Sequence, residues 1–174
     1  MQMGENMEKQ AKKMEEKQKK HDPNVKAMHY EELINFLPEN VDDYTIDGET
    51  NGESIDMAGM SYSTADVRFK NDNGDYIKIT LMDYNAAYNL YGAATGMWAM
   101  GMKIDSKTEL SQGIKFSDNI NGWESFKKKT GKAELVLGVG DRFLLTINGS
   151  NQENCDFLKD VAKSMDLDKL AAME

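Results

Sequence analysis

A chain with one cysteine, Cys155, and two histidines, His21 and His29, holds few of the side chains that do chemistry near neutral pH. A single thiol closes no intrachain disulfide and builds no zinc site that needs two cysteines. Cys155 falls on the apolar face expected of the last helix, where a thiol serves as a small hydrophobe. Both histidines precede the body of the domain, so a nucleophile and base would meet only if the N-terminal segment folded back. Phosphate loops fail on their glycines. Gly138-Val139-Gly140 is followed by Asp141, Arg142 and Phe143, without a third glycine, and lies between two strands. Gly131-Lys132 lacks the glycine five positions earlier that a P-loop requires. The 30 acids allow many carboxylate pairs, and that abundance makes any one pair uninformative about acid–base catalysis.

Two metal chemistries fit the composition. Between Lys26 and Arg68 stand ten acids and neither Lys nor Arg. Loop carboxylates with glycines nearby suit Ca²⁺, and Asp42, Asp43, Asp47 and Glu49 are the candidate ligands, although no EF-hand spacing is present. Met97, Met100 and Met102, with Met57, Met60 and Met82, offer soft sulfur to Cu(I). The first three do not share one helical face and have aromatic neighbours, so adaptable core packing is the expected role and no cofactor is expected.

The elements that would position these groups are legible from period. Tyr30–Phe36 reads as a short helix ended by Leu37-Pro38. Short strands are expected around Tyr44–Ile46 and Ser54–Met57, within an acidic loop region. Ala65, Val67 and Phe69 alternate with polar residues, as do Ile77, Ile79 and Leu81. Asn71-Asp72-Asn73-Gly74-Asp75 lies between these runs, which makes a hairpin. Asn85–Gly101 switches to helical period, with Tyr84, Tyr88, Tyr91 and Trp98 in one stripe and Asn85 as its cap. Ile114–Phe116 and Trp123–Phe126 are further strands. Ala133–Val139 and Phe143–Ile147 form a second hairpin about Gly140-Asp141. Ser150 with Glu153 predicts a capping box that opens a helix with Cys155, Leu158, Val161, Ala162 and Met165 on one face. The fold class is therefore α+β: an antiparallel sheet of about six strands covered by helices.

Charge divides the chain. Residues 1–26 hold seven basic and five acidic side chains, and residues 27–174 hold 14 and 25. The boundary falls near Asp22-Pro23-Asn24, giving a charged helical or flexible tail (1–26) and one α+β domain (27–174). Glu5/Lys9, Glu8/Lys12, Glu15/Lys19 and Glu16/Lys20 are spaced i,i+4 with the acid first, the stabilising order. The net charge of −9 and pI of 4.8 argue against a nucleic-acid surface. No apolar run reaches the ~20 residues of a membrane-spanning helix. The tail has no apolar core of a signal peptide. The expected location is the cell envelope, periplasmic or tethered to the outer membrane by a lipid upstream of residue 1, if an export signal has been removed; otherwise it is the cytoplasm.

Four local features carry a resemblance. They are Gly59-Met60-Ser61-Tyr62 leading a strand, Tyr76–Asp83 running into a small-residue helix, Gly122-Trp123 before a strand, and Gly140-Asp141-Arg142-Phe143 before the last strand. From about Tyr30 to Met173 the chain resembles a family of uncharacterised bacterial envelope or lipoprotein domains with a PsbP-like α/β sandwich layout. The resemblance implies a fold used for binding and assembly, and brings no functional residues with it. The expected function is a non-catalytic binding or assembly module with a protein or small-molecule partner. A small-molecule or metal (Ca²⁺ or Cu(I)) binding protein and an enzyme with a carboxylate-only site are the alternatives.

Overall fold

The computed structural model describes residues 24–58, 60–84 and 101–173, together with Glu8, Lys9, Lys12, Glu15 and Glu16, which are helical and exposed. The helix expected over Asn85–Gly101 lies outside the described residues except for Gly101, which sits in a turn at φ +62°. The described elements run α1 (Tyr30–Ile34), β1 (Thr45–Ile46), β2 (Asn51–Met57), β3 (Met60–Lys70), β4 (Tyr76–Asp83), β5 (Lys103–Asp105), β6 (Glu109–Ser117), β7 (Ile120–Lys127), β8 (Lys132–Val139), β9 (Phe143–Gly149), α2 (Asp156–Ser164) and α3 (Leu167–Ala171).

Alternation writes the sheet. In β3 every odd residue from Ser61 to Phe69 is buried, and in β4 every odd residue from Ile77 to Asp83. The turn between them is set by Asn71, whose Oδ1 accepts from the backbone N–H of Asn73 at 3.0 Å and Asp75 at 2.9 Å. Gly74 supplies the left-handed residue at φ +86°. The resulting sheet has nine strands in the order β1-β3-β4-β9-β8-β7-β6-β5, with β2 following β1 along the outer edge of β3. Every neighbouring pair is antiparallel. Two meanders meet at β4 and β9, and β5, the next described strand after β4, lies at the far edge.

The expectation of about six strands is thus corrected to nine. The uncounted pieces include β5, three exposed residues too short to show a period. One face of the sheet carries the core. Phe69, Ile79, Leu81, Leu135, Leu145 and Ile147 are fully buried there. Each such side chain is worth about 1.5–3 kcal/mol relative to exposure. Leu33 of α1, Leu158, Val161 and Ala162 of α2, and Leu167 and Leu170 of α3 complete the same cluster. The segment after α1 touches the C-terminal helices as well: Tyr44 stacks on Phe157 with centroids 5.8 Å apart, and Lys169 Nζ lies 5.6 Å from the Phe36 ring.

The capping box does not form. Ser150 Oγ instead accepts the Tyr76 N–H at 2.9 Å, which ties β4 to the end of β9. The N-cap of α2, Cys155, makes no side-chain cap bond; just ahead of it Asn154 forms an Asx turn, its Oδ1 accepting the Asp156 N–H at 2.7 Å. Ser150 meets a strand end that lies 74 residues earlier in sequence, and no local motif encodes that encounter.

Candidate functional site

Two tight turns face one another beside the first turn of α2. In one, Tyr44 N–H donates to Val41 O at 2.8 Å and closes Asp42-Asp43 into a loop, with Asp42 at φ +39°. In the other, Asn151 sits at φ +52° and Gln152 N–H donates to Gly131 O at 2.7 Å. The Asn151 amide also donates to Asp75 Oδ2 at 3.1 Å, which pins this turn to the β3–β4 hairpin. Aspartate and asparagine tolerate the left-handed region better than most residues, which is why these types stand at the two positions.

Between the turns lies a cleft of 340 Å³ lined by Asp42, Asp43, Tyr44, Asn151, Gln152, Glu153, Asn154 and Phe157. Its carboxylates are exposed and its ring pair is half-buried. Burial pushes the Tyr44 phenol above its ordinary pKa; a hydrogen bond with Gln152 opposes this, and the carboxylates of Asp75, Asp43 and Asp42 add to the rise. Tyr44 therefore remains a neutral hydroxyl at physiological pH. Such a wall offers many acceptors, several amide donors and an aromatic surface. It suits a small ligand that brings N–H or O–H donors or a positive charge.

The four acids read as calcium ligands are only half assembled. Asp42 and Asp43 line the cleft. Asp47 turns to β3, where its carboxylate lies 3.2 Å from Arg68 Nε. Glu49 is exposed, and its backbone carbonyl accepts from the Asn51 amide at 3.3 Å. Among the described residues, no three His, Cys, Asp or Glu side chains gather as metal ligands would. Among the described methionines, Met57 lies opposite Met60 in the β2–β3 pair and Met82 stands on β4. Met57 is 61% and Met102 42% exposed, which corrects the expectation of core packing for these two. Met97 and Met100 lie outside the described residues, as does His21. His29 is exposed and caps α1, its Nδ1 accepting the Glu31 N–H at 3.4 Å.

Two buried carboxylates have cationic partners. Asp83 is fully buried, and both its oxygens accept from Arg142 Nε at 3.0 Å. Its Oδ2 also takes Arg142 Nη2 and the Met28 N–H, each at 2.7 Å. Three segments distant in sequence converge on this one side chain. Glu124 is 5% exposed and accepts from Gln112 Nε2 at 2.6 Å. Its other oxygen is 3.0 Å from Lys159 Nζ of α2, off the line of a hydrogen bond. Cys155 lies close by, its Sγ 3.4 Å from Ser125 O. Burial, then the Glu124 charge, push the thiol up to about 11, so it is a poor nucleophile. Neither ion pair was anticipated from sequence. The signal was present as parity: Asp83 follows Ile77, Ile79 and Leu81 on the inward positions of β4, and Glu124 lies between Gly122 and Phe126 on those of β7.

No described helix is long and apolar enough to cross a membrane. No family model, curated protein or solved structure matches this chain.

Proposed function

We propose that this chain is a non-catalytic binding module and that the cleft between the 41–44 and 151–154 turns receives a small, hydrogen-bonding, positively charged ligand. The cleft itself carries the reading. Asp42, Asp43 and Glu153 bring three carboxylates to one concave surface, beside three side-chain amides and a stacked aromatic pair. The support beneath it is rigid, because each turn is fixed by backbone bonds of 2.7–2.8 Å. The buried carboxylates of Asp83 and Glu124 hold strands and helices together instead of facing a substrate. On the family resemblance, the module belongs to the cell envelope, lipid-tethered ahead of residue 1, on a PsbP-like sandwich. Fractionation of native cells tests that location, and a wholly cytosolic chain would rule it out.

Amide chemical-shift titration of the full chain tests the cleft. Spermidine, CaCl₂ and a neutral disaccharide are the probes. Spermidine should move the Tyr44, Asn151 and Asn154 amides in a saturable way, and the D43N/E153Q variant should weaken that response at least about tenfold. Saturation by Ca²⁺ alone would replace this reading with the metal-binding one. Spectra unmoved by millimolar spermidine would refute it.

A further inference from the structure

One corner of the sheet is basic, in a chain whose net charge is −9. There the β5–β6 and β7–β8 turns stand side by side. Lys128 N–H donates to Thr108 O at 2.9 Å, and Lys128 Nζ donates to Ser106 O at 2.7 Å. Residues 103–109 and 127–132, which form these turns and their strand ends, hold six lysines and two acids. Both acids are already paired. Lys127 Nζ lies 2.5 Å from Glu109, and Lys128 Nζ lies 2.7 Å from Asp105. Hydrogen bonds from those lysines hold the two carboxyls below their ordinary pKa. Lys103, Lys107, Lys129 and Lys132 are exposed and make no ion pair among the described residues. Four uncompensated charges thus gather at one corner of an acidic molecule. On the other side the patch is bounded by the acidic cleft, whose Gln152 N–H donates to Gly131 O.

Shape and polarity narrow the partner. Every residue of 101–108 and of 127–130 is exposed, so the corner offers a broad contact and not a hollow. Met102 and Ile104, each 42% exposed, stand on either side of Lys103 in sequence. The pairing register sets Ile104, Lys127 and Lys132 on one face. Ile104 lies opposite Ser111, Ser111 shares the parity of Glu109, and Glu109, Lys127 and Lys132 are successive partners across β6, β7 and β8. Lysines interleaved with exposed apolar side chains suit a negatively charged interface with an apolar layer beneath it. A bilayer of anionic lipid has that composition, whereas an acidic protein or a nucleic-acid backbone presents charge alone. The excess of acids elsewhere on the chain is repelled by the same surface, which orients the molecule with this corner toward it.

We propose that this corner docks on a membrane surface of anionic lipid, with Lys103, Lys107, Lys129 and Lys132 meeting the headgroup phosphates and Ile104 reaching the layer below. The docking does not depend on the cleft, so either reading can fail without the other.

Vesicle co-sedimentation of the full chain tests it, with phosphatidylcholine alone and with phosphatidylcholine carrying about 30% phosphatidylglycerol. The unsubstituted chain should bind the anionic vesicles and not the neutral ones. Binding should weaken at least about tenfold as salt rises from about 50 to 500 mM. K107Q/K129Q/K132Q should weaken it about a hundredfold, near fivefold for each lysine. K26Q/K115Q/K163Q changes the net charge equally through exposed lysines elsewhere, and should bind as the unsubstituted chain does. I104S should weaken binding several-fold at every salt concentration. All these side chains are exposed, so circular dichroism and melting should stay unchanged. Absence of binding to the anionic vesicles overturns the proposal, as does equal binding to the two kinds of vesicle or an equal loss in the two triple variants. Displacement by polyglutamate or duplex DNA, with I104S without effect, would make an acidic polymer the partner and overturns it as well.

Discussion

Replacing Asp83 with alanine takes a buried counter-charge away from the Arg142 guanidinium. In the folded chain the carboxylate is completely buried, and Arg142 beside it is only 13% exposed, so water reaches neither group freely. The substitution removes every acceptor that Arg142 Nε and Nη2 find on Asp83 and leaves the Met28 N–H without its 2.7 Å partner. Breaking a buried pair from one side costs about 3–5 kcal/mol, because the remaining charge stays desolvated and loses this counter-charge. For a domain of this size 1 kcal/mol moves the melting temperature by about 2–4 °C, so D83A should melt roughly 6–20 °C lower. Urea denaturation of D83A, R142M and the double variant measures the coupling directly. The double variant should be more stable than D83A alone, since removing both partners leaves no buried charge. A loss below about 1 kcal/mol in D83A, or additive losses in the double variant, would refute the argument that this pair joins β4, β9 and the segment ahead of α1.

Two further outcomes follow from single side chains. The Cys155 thiol, raised from 9.0 to about 11 by burial and the Glu124 charge, should react with a thiol reagent at pH 8 at least ~100 times more slowly in the folded chain than after denaturation. Because its folded pKa lies above its unfolded one, its protonated form stabilises the fold below about pH 9, and that contribution fades as pH rises toward about 11; C155A should flatten that part of a stability–pH curve. N154A should cost about 1 kcal/mol by removing the Asx-turn bond ahead of α2, whereas E153Q should stay within about 0.5 kcal/mol, since Glu153 lines the cleft and takes no part in a capping box; equal losses in the two would restore the box.

The hairpins about Asn71–Asp75 and Gly140-Asp141, the alternation of β3, β4, β8 and β9, and the apolar face of the last long helix were legible in the sequence. Each is encoded within a few residues: a turn residue that accepts a left-handed or side-chain-bonded backbone, flanked by a period of two or of 3.6. Asp42 and Asp43 were legible as exposed turn carboxylates. Their grouping with Glu153 and Asn154 was not, because more than 100 residues of chain separate the two turns.

Local pattern by itself decided which residues point inward and where the chain reverses. Tertiary structure alone decided which strand neighbours which, since any two antiparallel edges of suitable parity can pair, and among the described residues the packing of α1, α2 and α3 on one face helps to select among them. The same holds for polar partners. Asp83 finds Arg142, Ser150 finds Tyr76, and Glu124 finds Lys159 across 35 to 74 residues of chain. Those meetings depend on a strand order that closes β4 against β9, which no window of sequence contains.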